Sequence, residues 1–146
     1  MFVQHSVHID RPIEGCVSTL ARGPRRWFPQ LENKNQYAVG PRIAGVPVRK
    51  RVIVEAGEPV HQGTWSQVPI TWKSSFPKKL FPVMEGKVEL APVDGRITRL
   101  TVSGMYEAPL GRVGKELDDA VMHRVAEATV KELAESIAKE IESSLR

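Results

Sequence analysis

The chain has 146 residues, a formal net charge of +4 and a single cysteine, Cys16. This length lets one domain, covering residues 1–146, bury a core without a stabilising metal or disulfide. A lone cysteine excludes an internal disulfide, and the four scattered histidines lack zinc-site spacing, so we expect no metal and no cofactor. Because the sequence shows neither a signal-peptide pattern nor a run of about 18 apolar residues, we expect a soluble, cytoplasmic protein.

The positive charge is unevenly distributed. Residues 112–146 hold 6 Lys/Arg against 8 Asp/Glu, and the rest of the chain holds 15 against 9. Short basic runs are usually solvated surfaces, and no RNA-binding motif with interleaved aromatic residues accompanies them, so nucleic acid is not an expected partner. Arg49 and Arg51 share one face of a predicted strand. This arginine pair supports an alternative function, in which the protein is an interaction module that contacts acidic partners through its basic strands.

The first strand is predicted between Phe2 and Asp10, where apolar and polar residues alternate. A period of two is typical of a strand with one buried face, and the positions on that face are Val3, His5, Val7 and Ile9. A helix follows directly, with Asp10 as its N-cap and Pro12 in its first turn, and it ends near Gly23. A second short helix is predicted over residues 24–31.

The middle of the chain is predicted to be β-structure. Between Asn33 and Pro47 the scattered glycines and prolines allow one irregular strand and a turn. Four clearer strands follow at Val48–Ala56, Gly63–Ser75, Phe81–Leu90 and Arg96–Tyr106. Their short connections predict an antiparallel meander. Pro69 cannot donate to a sheet hydrogen bond and therefore predicts a bulge or a local strand edge.

A long amphipathic helix is predicted from about Val113 to Leu145. Its apolar residues recur every three to four positions, and pairs such as Glu127 and Lys131 lie four residues apart on the polar side. At ~1.5 Å per residue the helix would extend for roughly 45 Å, so it must lie across a curved sheet to bury its apolar face.

This order of elements resembles the START-like superfamily, also called SRPBCC or Bet v 1-like, over essentially the whole chain. The residues that carry the resemblance are Val7-His8-Ile9-Asp10-Arg11-Pro12, Arg26-Trp27-Phe28-Pro29, Gly104 to Gly114, and His123-Arg124-Val125-Ala126. They are most similar to an uncharacterised bacterial branch. The resemblance implies an α+β helix-grip fold: a curved antiparallel β-sheet of about six to seven strands around a long C-terminal helix, with two short helices after strand 1.

The resemblance also implies an internal cavity between sheet and helix that holds a small hydrophobic ligand, such as a lipid, a polyketide-like compound or another apolar metabolite. The protein is then expected to be a monomer or a weak homodimer. By strand alternation and helix position, the predicted lining residues are His5, Trp72, Met84, Leu100, Tyr106, Leu117, Val121, Met122 and Val125. The same residues would simply form a hydrophobic core if the cavity is collapsed, and both alternatives stay open.

Three side chains are candidates for acid–base chemistry: His5, Tyr106 and His123. His123 lies four residues after Asp119, so a helix would bring the two together, although this spacing is more typical of a surface ion pair. Sequence assigns no partner to His5, and His61 is expected in a loop. An aromatase/cyclase- or hydrolase-type enzyme therefore remains the alternative to a binding protein, and no catalytic residue is assigned.

Overall fold

The main sheet brings the first and last strands of the chain side by side. The computed structural model describes residues 2–27, 36–39, 42–43, 46–47, 50–63, 65–74, 84–106 and 119–145. Within these ranges the elements are β1 (Phe2–Ile9), α1 (Ile13–Ala21), α2 (Pro24–Trp27), β2 (Gln36–Val39), β3 (Arg42–Ile43), β4 (Val46–Pro47), β5 (Lys50–Ala56), β6 (Val60–Gln62), β7 (Trp65–Ser74), β8 (Met84–Pro92), β9 (Thr98–Tyr106) and α3 (Asp119–Ser144).

The sheet has seven strands and is antiparallel throughout. Its order is β1-β9-β8-β7-β5-β2, with β6 also paired to β7, while β3 and β4 form a separate two-stranded ribbon. The ladder between β1 and β9 runs from Phe2 opposite Met105 to Ile9 opposite Thr98. This sheet, with α3 packed across β1 and β9, confirms the predicted α+β helix-grip fold.

One face of the sheet is apolar and buried because side chains alternate along each strand. Cross-strand partners lie on the same face, so the buried positions of neighbouring strands fall into rows. The buried apolar residues of this inner face are Val3, Ile9, Val68, Ile70, Met84, Val88, Leu90, Leu100, Val102 and Tyr106. The predicted alternation of β1, β7, β8 and β9 is confirmed at these positions.

Helix α3 covers the inner face with the apolar stripe predicted for it. Its buried apolar residues, among those described, are Ala126, Val130, Leu133, Ala134, Ile137, Ala138 and Ile141. Glu142, near its C-terminal end, accepts a hydrogen bond of 3.0 Å through Oε1 from the backbone N–H of Asp10. Because Asp10 directly follows β1, this bond ties the end of the first strand to the end of the last helix. None of the described helices combines the length and the apolar character required to cross a membrane.

The start of α1 differs from the prediction. Its N-cap is Pro12, with extended backbone angles and no side-chain capping bond, and the helix begins at Ile13. Asp10 was expected to cap it, but two residues separate Asp10 from Ile13, which is too far for an N-cap. Thr98 on β9 instead fixes the entry into the helix, because its hydroxyl donates to the carbonyl of Arg11 at 2.8 Å.

The strand next to Pro69 is interrupted, as predicted. Strands β5 and β6 both pair with β7, and residues 57–59 lie between them opposite residues 68–69, so one extra residue forms a bulge. The carbonyl of Pro69 accepts a 2.8 Å bond from the N–H of Gly57. In a β-strand, the N–H and the carbonyl of one residue point to the same side. Because the carbonyl of Pro69 faces this bulge, the N–H that proline lacks would have faced it too. The short strand β6 was not predicted, because residues 57–62 lack an alternating pattern.

Two glycines face each other on the inner side of the sheet. Gly86 on β8 pairs with Gly104 on β9, between Val3 of β1 and Ile70 of β7 in the same row. A side chain at Gly86 would overlap the backbone carbonyl oxygen of Ser103, so the two strands approach too closely for any residue but glycine. The row therefore has a gap in its side chains at its centre, which we call the glycine notch (Gly86 and Gly104).

Candidate functional site

A buried tyrosine lies at the end of the apolar inner face. Tyr106 is the last residue of β9, is 2% exposed and stands opposite Met84, the first residue of β8. Its hydroxyl oxygen lies 3.0 Å from Nδ1 of His123. The two rings are tilted by 33° with centroids 6.2 Å apart, so the contact is a hydrogen bond at the ring edges and not a stack.

The other nitrogen of His123 binds a carboxylate. Nε2 lies 2.7 Å from Oε1 of Glu127, one turn further along α3. The side chain of His123 is 34% exposed and that of Glu127 is 59% exposed. The predicted i,i+4 partner of His123 was Asp119, whose side chain lies outside the described residues. The partner that the structure shows, Glu127, had instead been paired with Lys131.

The carboxylate determines how the three groups share their protons. An ionised Glu127 has no proton to donate, so it accepts from Nε2–H of His123. A neutral imidazole that carries its proton on Nε2 has a lone pair on Nδ1, which accepts the hydroxyl proton of Tyr106. With this neutral tautomer the donors run from Tyr106 through His123 to Glu127, whereas an imidazolium would donate to both partners. We call these three residues the tyrosine relay.

The tyrosine relay adjoins the glycine notch. The Tyr106–Met84 row is next to the Gly104–Gly86 row on the same face, since the residues are two positions apart on each strand. The side chain of Met84 lies over Gly104, where the added methyl of an alanine would come within 2.7 Å of its sulfur. A flexible thioether therefore fills the space beside Gly104, while the carbonyl of Ser103 occupies the side-chain position at Gly86.

His5 lies elsewhere, on the seam between β1 and α3. It is half-buried and lines an open cleft of about 350 Å³. The residues around this cleft are Gln4, His5, Arg124, Glu127, Ala128 and Lys131. Glu127 belongs both to this cleft and to the tyrosine relay, so the solvent side of the relay opens onto the cleft. The structure thus unites two of the three predicted acid–base side chains, Tyr106 and His123, and places His5 in the adjoining cleft.

The predicted lining residues fall into three groups. Met84, Leu100 and Tyr106 are buried in the core cluster on the inner face, which is where both the cavity and the core interpretation place them. Trp72 lies on β7 and Val121, Met122 and Val125 lie on α3, but their side chains are outside the described residues, as is the whole of Leu117. A cavity lined by these residues therefore remains a prediction.

Sequence reasoning missed the role of Glu127. The signal was present, because residues 123 and 127 are as well spaced for a helical pair as residues 119 and 123. His61 was also misplaced. It lies on β6 and not in a loop, with Nδ1 2.5 Å from the hydroxyl oxygen of the buried Ser66 opposite it. His8 is exposed, as expected.

Cys16 is fully buried in α1. Burial raises the pKa of its thiol above the ordinary value of 9.0, since a thiolate would lose its hydration. Such a thiol is a poor nucleophile. The described residues contain no group of three His, Cys, Asp or Glu side chains that could hold a metal ion. Arg49 and the side chain of Arg51 lie outside the described residues, so the basic-strand hypothesis stays a prediction.

Comparison with known proteins supports the fold. No family model and no curated protein matches the chain. A solved structure of a Thermus thermophilus protein aligns over all of both chains, with 16% identity and a TM-score of 0.59. A conserved protein from Geobacillus kaustophilus aligns over 99% of this chain and 97% of its own, with 17% identity and a TM-score of 0.58.

A third structure, Ara h 8.0201, aligns over 99% of this chain and 97% of its own, with 16% identity and a TM-score of 0.56. At such low identity these matches establish a shared fold. They agree with the topology described above: β1 paired to β9 at one end of an antiparallel sheet, two short helices after β1, and α3 across the inner face. The chain therefore shares the helix-grip fold of these structures, which is the fold that its sequence resemblance predicted.

Proposed function

We propose that this protein binds a small, largely apolar molecule with one polar group, between the inner face of the sheet and α3. The observation that carries the proposal is the position of Tyr106. Its hydroxyl is held by His123 at the end of a face that is otherwise apolar and buried. An apolar surface with one oriented polar group is the usual composition of a small-molecule site.

The glycine notch provides the place where such a molecule would enter. Among the described residues, the side-chain atoms nearest to a methyl added at Gly104 belong to Met84, and a methionine side chain can change rotamer at low cost. Rotation of Met84 away from Gly104 would open the space beside that glycine, one row from the Tyr106 hydroxyl. A ligand there would contact backbone and apolar side chains along its length and Tyr106 at one end.

Affinity would come mainly from burial of the ligand's apolar surface. At about 25 cal/mol per Å², each 100 Å² removed from water contributes about 2.5 kcal/mol, before the entropy lost on binding. A single hydrogen bond to Tyr106 adds about 1 kcal/mol and mainly orients the ligand. The fold agrees with this proposal, because the resemblance to START-like proteins implies a ligand between sheet and helix.

Native mass spectrometry of the gently purified protein tests the proposal. We expect a discrete mass above that of the denatured chain, or saturable binding of the apolar fluorophore 1-anilinonaphthalene-8-sulfonate to the folded protein. Met84→Trp should fill the glycine notch and abolish both signals. Met105→Trp is the matched control, because Met105 is the neighbour of Gly104 on β9 but is 56% exposed on the outer face.

Circular dichroism should show that both tryptophan variants remain folded, and Met84→Phe provides a smaller substitution if Met84→Trp does not fold. A bare native mass together with no fluorophore binding would contradict the proposal. Equal binding to wild type and to a folded Met84 variant would contradict the placement of the site at the glycine notch.

A further inference from the structure

The last helix carries charged side chains along its seam with the first strand. We propose that this seam is a docking surface for a second copy of the chain, which lies antiparallel to the first and forms a weak two-fold dimer. The proposal goes beyond the proposed function and does not depend on it, because no ligand takes part in the contact.

Two open clefts follow one another along the seam between β1 and α3. The first, of about 350 Å³, lies between Gln4 and His5 of β1 and residues 124–131 of α3. The second, of about 340 Å³, lies between Val7 and His8 of β1 and residues 132–142 of α3. β1 is the end strand of the sheet, and within the described residues no strand pairs with its outward edge. Both clefts therefore lie where a second molecule can reach them.

The two clefts differ in charge. With the histidines neutral, the first cleft has two cations and one carboxylate, and the second has three carboxylates and one cation. A second copy in the parallel orientation would bring like charges together, whereas an antiparallel copy brings each cleft against one of opposite charge. The charged residues are Arg124, Glu127 and Lys131 in the first cleft, and Glu132, Glu135, Lys139 and Glu142 in the second.

The order of these charges is complementary to its own reverse about Leu133. In a two-fold contact, residue i of one copy faces residue j of the other, and j faces i. A dimer axis near Leu133 therefore brings together residues at equal distances on either side of it, and each such contact occurs twice. The residues at equal distances, opposite in charge in every case, are Lys131 and Glu135, Glu127 and Lys139, and Arg124 and Glu142.

Four of these side chains point in nearly the same direction from the helix. At about 100° per residue they fall within a band about 40° wide, on the side of α3 away from the buried Leu133 and Ile137. We call this band the charged strip (Arg124, Lys131, Glu135 and Glu142). Ala128 lies beside the strip and is small, so it lets a second helix approach closely.

The charged strip is free to contact another molecule. Within the described residues, none of its four side chains takes part in a salt bridge. Glu142 accepts the Asp10 N–H through Oε1, which leaves Oε2 available. Glu132 has no opposite charge at the matching position, Ala134, but it is half-buried and interacts within its own chain. Exposed ion pairs each contribute little, so we expect a weak dimer whose orientation the charges determine.

Sedimentation equilibrium of the full chain without added ligand tests the proposal. We expect wild type to dimerise with a Kd below about 1 mM that increases with salt, because ions screen exposed charges. Lys131→Glu and Glu135→Lys should each raise the Kd by roughly tenfold, since two-fold symmetry repeats the change at two contacts. Glu140→Lys is the matched control and should leave the Kd unchanged. It alters the net charge as much as Glu135→Lys does, but Glu140 is exposed and lines neither cleft.

Two combinations of these changes should restore the dimer. In the double variant Lys131→Glu/Glu135→Lys, each exchanged charge again faces an opposite charge on the second copy. A mixture of the two single variants should form a heterodimer, because one chain presents two glutamates at these positions and the other presents two lysines. Each chain of the mixture keeps like charges within itself. Restoration there therefore distinguishes a contact between copies from a contact within one chain.

Three results would overturn the proposal, provided that circular dichroism shows every variant to be folded. Wild type that stays monomeric up to about 1 mM lacks the dimer. A dimer that the two charge reversals leave unchanged, or that Glu140→Lys weakens equally, uses another surface. A dimer that the single variants weaken but their mixture does not restore fails to pair the charged strip with itself. All three results leave ligand binding at the glycine notch untouched, so the proposed function stands or fails separately.

Discussion

Met84 occupies the space that a side chain at Gly104 would need. The added methyl of an alanine at position 104 would lie 2.7 Å from the sulfur and 2.9 Å from Cγ of Met84, well inside van der Waals contact. The glycine and the methionine therefore form one packing unit on the inner face. The flexibility of Met84 determines how much the site beside it can adapt.

Gly104→Ala should destabilise the protein by about 1–3 kcal/mol, which is the usual cost of overpacking a core. The free energy of unfolding from urea titration measures the effect. Gly95→Ala is the control, because Gly95 is an exposed turn residue with no atom near its missing side chain, and it should change stability by less than about 0.5 kcal/mol. Combining Gly104→Ala with Met84→Ala should cost less than the sum of the two single changes. Strict additivity would mean that the two side chains do not compete for this space.

Ile137→Ala should cost about 2–5 kcal/mol, because Ile137 is fully buried in the stripe of α3 that covers the sheet. Lys139→Ala changes an exposed residue of the same helix and should alter the free energy of unfolding by less than about 0.5 kcal/mol. Both values come from urea unfolding followed by circular dichroism. Similar effects of the two substitutions would contradict the assignment of the buried stripe.

Asp94→Ala should destabilise the turn between β8 and β9. Oδ1 of Asp94 accepts hydrogen bonds from the backbone N–H groups of Arg96 at 2.7 Å and Ile97 at 2.9 Å. Their loss should lower the free energy of unfolding by about 1 kcal/mol, since this side chain is exposed and water partly replaces it. Asp94→Asn keeps a carbonyl oxygen at that position and should lose less. An alanine variant as stable as wild type would show that the turn forms without these bonds.

Cys16 should make stability fall at alkaline pH. Burial raises its pKa in the folded state above the ordinary value of 9.0, so the folded chain binds more protons than the unfolded chain between those two pKa values. The contribution of Cys16 to the free energy of unfolding is therefore fully present below pH 9.0. It decreases as the pH rises through the folded-state pKa.

The stability difference between wild type and Cys16→Ala, measured from pH 7 to pH 10.5, isolates the effect of Cys16 from that of other alkaline groups. We expect wild type to lose stability relative to Cys16→Ala above about pH 9. A constant difference across this range would contradict the raised pKa. In the same range Cys16 should react with a thiol reagent only after the protein unfolds.

The regular elements could be predicted because each has one buried face. Alternation in β1 and the three- to four-residue repeat in α3 show which side chains are removed from water. Sequence alone therefore placed Ile9 on the sheet's inner face and predicted one apolar stripe along α3. The β-bulge opposite Pro69 was also predicted, since a missing backbone donor has a local consequence. Asp10 was wrongly assigned as the cap of α1 because its hydrogen bond to Glu142 depends on residues 132 positions apart.

The tyrosine relay was only partly predictable for a related reason. Sequence identified Tyr106 and His123 as candidates, but the helical spacing of His123 suited Asp119 and Glu127 equally. Which carboxylate it contacts depends on how α3 is oriented over the end of β9, and that is a tertiary property. The glycine notch could not be predicted, because Gly86 and Gly104 become neighbours only through the pairing of β8 with β9.

The pairing of β1 with β9 affects how this chain can be made. β1 leaves the ribosome before its sheet neighbour β9, which ends at Tyr106, about 100 residues later. At 5–20 residues per second, translation leaves the apolar side of β1 without its partner for roughly 5–20 s. During that interval Val3 and Ile9 are available to other nascent chains and to chaperones. The apolar side of β1, which is covered in the finished protein, thus depends on a partner strand that is made much later.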